Sequence, residues 1–223
     1  LNEPSFDGYQ SVNFIIETVL ANAPEQTILL PVGKLTNIAL ALEKSPRIAE
    51  HVRIVWLGSN YPDPGEYNQV NDVPAMNYLL DKDVPFEMVT VRYGQGTGTD
   101  AVRVTPSEIE EKMPGLGPRV DEPVVGRHGG EFHNFGDYAV SLFEHAELYG
   151  DPPSRALFDM AAVAILKDPS WAKSKEIPAP TYVDGEWVER PENPRTITVW
   201  EHFDSEAILK DFFDTMENYQ LVD

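Results

Sequence analysis

Cysteine is absent from the 223-residue chain, which excludes disulfides and thiolate metal sites and leaves the redox compartment unconstrained. Basic residues are scarce. Lys and Arg number 17 against 37 Asp and Glu, for a net charge of −20. Such an acidic chain repels nucleic-acid backbones and anionic membranes, so neither is expected as a partner. No apolar run approaches the ~20 residues of a transmembrane helix. The opening Leu1-Asn2-Glu3-Pro4 has no basic stretch followed by an apolar one, so it does not read as a signal peptide. It also lacks an initiator Met, which predicts a start that was cut away or left out. No compartment is specified, and the cytoplasm is the default expectation. Repeats and low-complexity linkers are missing too, so the reading is one domain over 1–223. What is present, 42% hydrophobic and 10% aromatic residues, suits a globular core. The acidic excess reads as solubility, or else as carboxylates gathered for a cation.

The apolar spacing alternates between helix and strand. Val12, Ile15, Ile16, Val19 and Leu20 predict a helix over 11–23. Strands are predicted over 26–31, 53–57 and 86–91, with helical segments over 37–44, 47–51 and 74–80 between them. This αβαβαβ rhythm predicts an open, mostly parallel, Rossmann-like sheet flanked by helices. Beyond it, Thr105-Pro-Ser-Glu108 is a capping-box start, 113–130 reads as irregular, and 135–149 and 156–166 read as helices, the second one buried. Asp184-Gly185 predicts a small C-terminal hairpin, followed by a strand over 196–200 and a helix over 205–219.

Three segments carry possible chemistry. In Leu30-Pro-Val-Gly-Lys-Leu-Thr-Asn37 a strand runs through a glycine turn at Gly33 into a helix that Thr36 or Asn37 would cap, a geometry that builds a ligand edge in α/β folds. In Leu57-Gly-Ser-Asn-Tyr-Pro-Asp-Pro-Gly-Glu-Tyr-Asn68, Glu66 and Asn68 lie two apart, and an extended backbone would point both the same way. A carboxylate beside an amide suits a vicinal diol; the plain alternative is a polar loop capping the next helix. In Leu157-Phe-Asp-Met-Ala-Ala-Val-Ala-Ile-Leu166, Asp159 is a lone carboxylate heading an apolar helix, either its N-cap or a ligand for a cation such as calcium. Gly94-Gln-Gly-Thr-Gly98 lacks the Lys-Ser/Thr of a phosphate loop, and Glu110-Glu111 and Glu186/Glu189 read as solvated faces.

In order and separation, these segments resemble the inosine–uridine nucleoside hydrolases. The family's Gly-Pro-Leu-Thr-Asn stands here as Gly33-Lys-Leu-Thr-Asn37, its Glu-Phe-Asn and following Asp as Glu66-Tyr67-Asn68 and Asp72, and its His-Asp-Pro as Phe158-Asp159-Met160, with Ala162-Val-Ala164 and Asp168-Pro-Ser170 after it. The resemblance implies calcium-dependent hydrolysis of the N-glycosidic bond of nucleosides, as in purine and pyrimidine salvage. It implies calcium held by Asp159 and the Val32 carbonyl. It places Glu66, Asn68, Leu57 and Asn60 around the sugar, and Phe158 and Tyr149 near the base. It also implies a homo-oligomer. The family's N-terminal Asp cluster, with the Asp that activates water, has no counterpart: Asp7 stands alone. The water-activating Asp is therefore expected outside this chain, on an N-terminal companion chain, and the domain lacks the family's first strand and helix. Phe158 replaces a His that can protonate a leaving purine; His128, His133 or His145 could take that part, though each reads first as a surface His. The alternatives are a non-catalytic nucleoside- or sugar-binding protein and an incomplete fragment on the same scaffold.

Overall fold

The computed structural model describes residues 8–220. Asp7 and the Leu1–Pro4 segment lie outside the described residues. The first half of the chain lays down α1 (Tyr9–Asn22), β1 (Thr27–Leu29), α2 (Thr36–Lys44), β2 (Val52–Leu57), α3 (Tyr67–Val70), α4 (Val73–Leu80) and β3 (Phe86–Val89). The second half adds β4 (Arg103–Val104), α5 (Pro106–Lys112), β5 (Arg119–Val125), β6 (Glu131–Asn134), α6 (Phe135–Glu144), β7 (Arg155–Ala156) and α7 (Phe158–Lys167). It closes with β8 (Lys173–Pro178), β9 (Thr181–Val183), β10 (Glu186–Val188), β11 (Thr196–Glu201) and α8 (Ser205–Glu217).

The main sheet runs β1-β2-β3-β11-β8. Its first four strands are parallel and β8 is antiparallel to β11. Helices cover both faces because side chains alternate along each strand. Ile54 and Trp56 of β2 join the cluster built with α1, α2 and α4, whereas Val55 and Leu57 join the cluster built with α7 and α8. Both faces of β2 and β3 are therefore apolar, as fully covered parallel strands must be. Glu87 of β3 is the exception. Its carboxylate accepts from Arg53 of β2 and from the Trp200 indole of β11, so one buried acid ties three neighbouring strands together. This is the mostly parallel Rossmann-like sheet that the sequence predicts.

Several local expectations change. Thr36 and Asn37 do not cap α2; the cap position is Leu35, and the Thr36 hydroxyl donates to Asp72 at 2.6 Å. Gly33 has open space where a Cβ would stand, so its turn does not require glycine. Part of 113–130 is ordered as the β5–β6 hairpin, and the short β4 and β7 and the edge strand β8 carried no periodicity long enough to announce them. The capping box at Thr105 and Glu108 forms as read, and Asp184-Gly185 turns β9 into β10 with both residues at positive φ. Among the described residues, no helix is long and apolar enough to cross a membrane.

The carboxyl edge of the sheet is fastened loop to loop. Ser59 after β2, Arg92 after β3 and His202 after β11 all adopt positive φ, a costly conformation for residues with a side chain. The Val91 amide donates to the Ser59 carbonyl at 2.8 Å and the His202 amide to the Thr97 carbonyl at 2.7 Å. Arg92 donates to the Tyr61 carbonyl and pairs with Glu201 at 2.7 Å. Gly98 passes so close to β3's extension that a Cβ there would stand 2.0 Å from the Val91 carbonyl oxygen. Gly98→Ala should therefore cost about 2–4 kcal/mol in urea unfolding, whereas Thr105→Ala, which removes only a cap, should cost about 1 kcal/mol. Equal losses would show that the 93–98 loop tolerates displacement from the sheet edge.

Candidate functional site

A cleft of about 720 Å³ opens beside this carboxyl edge. Three aromatic residues line it: Tyr93 at the head of the glycine-rich loop, Tyr149 beyond α6, and Phe158 at the start of α7. The Tyr93 and Phe158 rings meet edge to face, with centroids 5.8 Å apart at 83°. Gly94, Gln95 and Gly96 form part of one wall, so the segment without a phosphate-loop signature nonetheless borders the cleft. Asp100, Arg103 and Arg155 are its charged residues. Asp100 accepts from the Gly94 amide at 2.9 Å and pairs with Arg103 at 2.9 Å. Arg103 also donates to the Ser154 hydroxyl and to the Ser154 and Tyr149 carbonyls, which fixes the loop that carries Tyr149.

Of the sequence-selected residues, Tyr149 and Phe158 meet at the cleft. Glu66, Asn68, Asn60 and Leu57 do not line it; they build the loop behind Tyr93. Glu66 is 3% exposed and caps α3, accepting from the Gln69 amide at 2.8 Å. The nearby backbone of Ser59, Tyr67 and Asn68 also favours the charged form, but burial is the larger influence and holds its pKa above the usual glutamate value. Because α3 begins at Tyr67, Glu66 and Asn68 are not on one extended face, contrary to the sequence expectation. Asn68 donates instead to the Leu57 carbonyl at 3.0 Å. Asn60 donates to the Pro64 carbonyl at 3.1 Å and accepts from the Tyr93 amide at 2.9 Å, and so sets where Tyr93 stands. Leu57 is buried in the core against α7.

Asp159 sits in the first turn of α7, whose cap position is Leu157, so it is not the N-cap. Its side chain is exposed, yet desolvation by the surrounding protein still lifts its pKa above the ordinary aspartate value. Val32 is exposed after β1. The calcium expectation is overturned. Among the described residues, no three His, Cys, Asp or Glu side chains converge as a metal site. Asp159 belongs to no such group, whereas calcium takes six to eight oxygen ligands. The buried polar atoms left without partners nearby, Gln69 Nε2 and Thr99 Oγ1, are an amide nitrogen and a hydroxyl rather than anionic ligands. His128 and His145 stack on each other with centroids 4.4 Å apart, and His133 faces the Val120 carbonyl; none of the three lines the cleft.

Sequence reasoning missed Tyr93, Asp100, Arg103 and Arg155. The available signals were weak: Tyr93 introduces the glycine-rich loop, and Arg155 stands three residues before Phe158.

Comparison with known proteins bears on the fold and the family. An inosine-uridine preferring nucleoside hydrolase of Leishmania major is 25% identical over 182 residues, covering 80% of this chain and 53% of its own length. The one from Crithidia fasciculata is 26% identical over 186 residues with the same coverage. The chain thus spans about half the length of the curated relatives it matches. Among solved structures, a plant nucleoside hydrolase superposes with a TM-score of 0.71 at 21% identity, covering 93% of this chain and 67% of that one. The Bacillus anthracis inosine-uridine preferring nucleoside hydrolase gives 0.65 at 19%, covering 92% and 64%. These structural likenesses speak for the fold. The family model for inosine-uridine preferring nucleoside hydrolase matches residues 3–210, and the chain belongs to that family.

Proposed function

We propose that the chain carries the nucleoside-binding cleft of a glycosidase that hydrolyses the N-glycosidic bond of ribonucleosides. The observation that carries this reading is the aromatic cleft of Tyr93, Tyr149 and Phe158 at the carboxyl edge of a family-matched sheet. A nucleobase is a flat π-system, and edge and face contacts with aromatic side chains are the contacts such a ligand favours. In the reaction the C1′–N bond breaks, the water oxygen bonds to C1′ and keeps one proton as the new hydroxyl, and the water's other proton ends on the base nitrogen. The transition state is oxocarbenium-like, as in other glycoside cleavages. The Asp100–Arg103 pair acts as a positioning element, because it holds both the glycine-rich loop and the Tyr149 loop against the cleft.

A second reading is non-catalytic nucleoside binding. It is favoured by Glu66, Asn60 and Asn68, whose polar atoms already bond to backbone groups.

Incubation with inosine and with uridine, followed by chromatography of the products, separates the two. Hydrolysis predicts equal amounts of free base and pentose, and Phe158→Ala should lower kcat/KM at least about tenfold, a loss of roughly 1.4 kcal/mol of transition-state binding. Calorimetric binding without base release selects the second reading, and neither binding nor release sinks the proposal.

Glu66 gives an independent check of its structural part. Its pKa is raised in the folded state, so the anion is disfavoured there, and its contribution to stability improves as pH falls through the folded pKa towards the unfolded one. The thermal midpoint of the wild type relative to Glu66→Gln should therefore rise as pH is lowered from neutral towards the ordinary glutamate pKa. A difference that stays flat or falls would show that Glu66 is not desolvated in the fold.

A further inference from the structure

The charges of the cleft do not cancel. Asp100 and Arg103 pair at 2.9 Å, and Arg103's remaining donors reach Ser154 and Tyr149. Arg155 is different. Among the described residues it has no carboxylate within ion-pair distance, and its one hydrogen bond is a long one, 3.3 Å, to the Glu147 carbonyl. Its side chain is partly covered, and it lines the same cleft as Tyr93 and Tyr149. The Glu147 carboxylate, the nearest acid in sequence, bonds to the Tyr149 hydroxyl instead. In a chain of net charge −20, a guanidinium left with most of its donors free inside a cleft is an arrangement that a neutral ligand would leave uncompensated.

We infer that Arg155, which lines the cleft together with Gly94 and Gly96, forms a phosphate-monoester subsite, so that the cleft takes a nucleoside 5′-monophosphate in preference to the unphosphorylated nucleoside. A planar guanidinium presents paired donors that match two phosphate oxygens. The two glycines leave that wall without side chains that would hold a bulky anion away: a Cβ at either would meet nothing within 4 Å. The inference rests on the nucleoside reading of the cleft and adds the charged end of the ligand to it.

The test is calorimetric titration of the protein with inosine, inosine 5′-monophosphate and inorganic phosphate, repeated with Arg155→Ala and Arg155→Lys. The wild type should bind the monophosphate about tenfold more tightly than the nucleoside, with a preference that shrinks as salt is raised through the range where the Debye length falls below about 10 Å. Arg155→Ala should bring the ratio of the two affinities to one, and Arg155→Lys, which keeps the charge but loses the fork, should hold an intermediate ratio. Inorganic phosphate should compete with the monophosphate and not with the nucleoside. Equal affinity of the wild type for both ligands overturns the inference and leaves the nucleoside reading standing. So does a preference that survives Arg155→Ala, or an equal weakening of both ligands by that variant, which would assign the guanidinium to base or sugar. Phosphate binding without a monophosphate preference would mean a free-anion site and also overturns it. Failure of both organic ligands to bind overturns the nucleoside reading itself.

Discussion

The carboxyl edge of the sheet depends on one buried acid and its cage of amides. Glu66 takes hydrogen bonds from the backbone around it, and the loop after β2 is folded about that group. From this anchor the rest follows by contact. Asn60 reaches the Tyr93 amide, Tyr93 meets Phe158, and Phe158 begins the helix whose buried face fills the core under β2 and β3. A desolvated carboxylate needs a donor, and here the Gln69 amide supplies one from the main chain. The cleft is thus shaped by a group that never lines it.

The same economy appears in the core. Glu87 links three strands through an arginine and an indole, while apolar side chains alternate to the two helical layers. Backbone strain collects where the strands end, at Ser59, Arg92 and His202, and each of these residues is held by a bond to, or from, a neighbouring loop. Strained residues persist only where their surroundings over-determine them.

The fold was legible in the chain because β2 and β3 are apolar apart from Arg53 and Glu87, and the helices between them keep their spacing. Strands of two or three residues, such as β4 and β7, are too short to show a period, and β8 reads as polar because it is an exposed edge. The site was legible in part. Phe158 and Tyr149 stand at the cleft, whereas Glu66 and Asn68, read as sugar ligands, bond to backbone groups of the loop behind Tyr93, bonds that residue type alone does not reveal. Tyr93 and Arg155 matter through what the fold brings beside them, and neither sits in a motif. The expected calcium came from family likeness. It fails among the described residues because its ligands must converge, and a single aspartate cannot supply that convergence.

The two borders of the main sheet are unlike. β8 ends the sheet with Lys173, Lys175 and Glu176 exposed along it, charges that discourage a further strand from adding. β1 has β2 as its one neighbour among the described residues and offers Thr27-Ile28-Leu29, with Ile28 44% exposed. A short apolar border with free hydrogen-bonding groups invites another chain to zip onto it. The long-range repulsion of 20 excess negative charges is then the chief brake on such growth. Raised ionic strength or acidity weakens that repulsion, and with it the brake on pairing at the β1 border of the described residues.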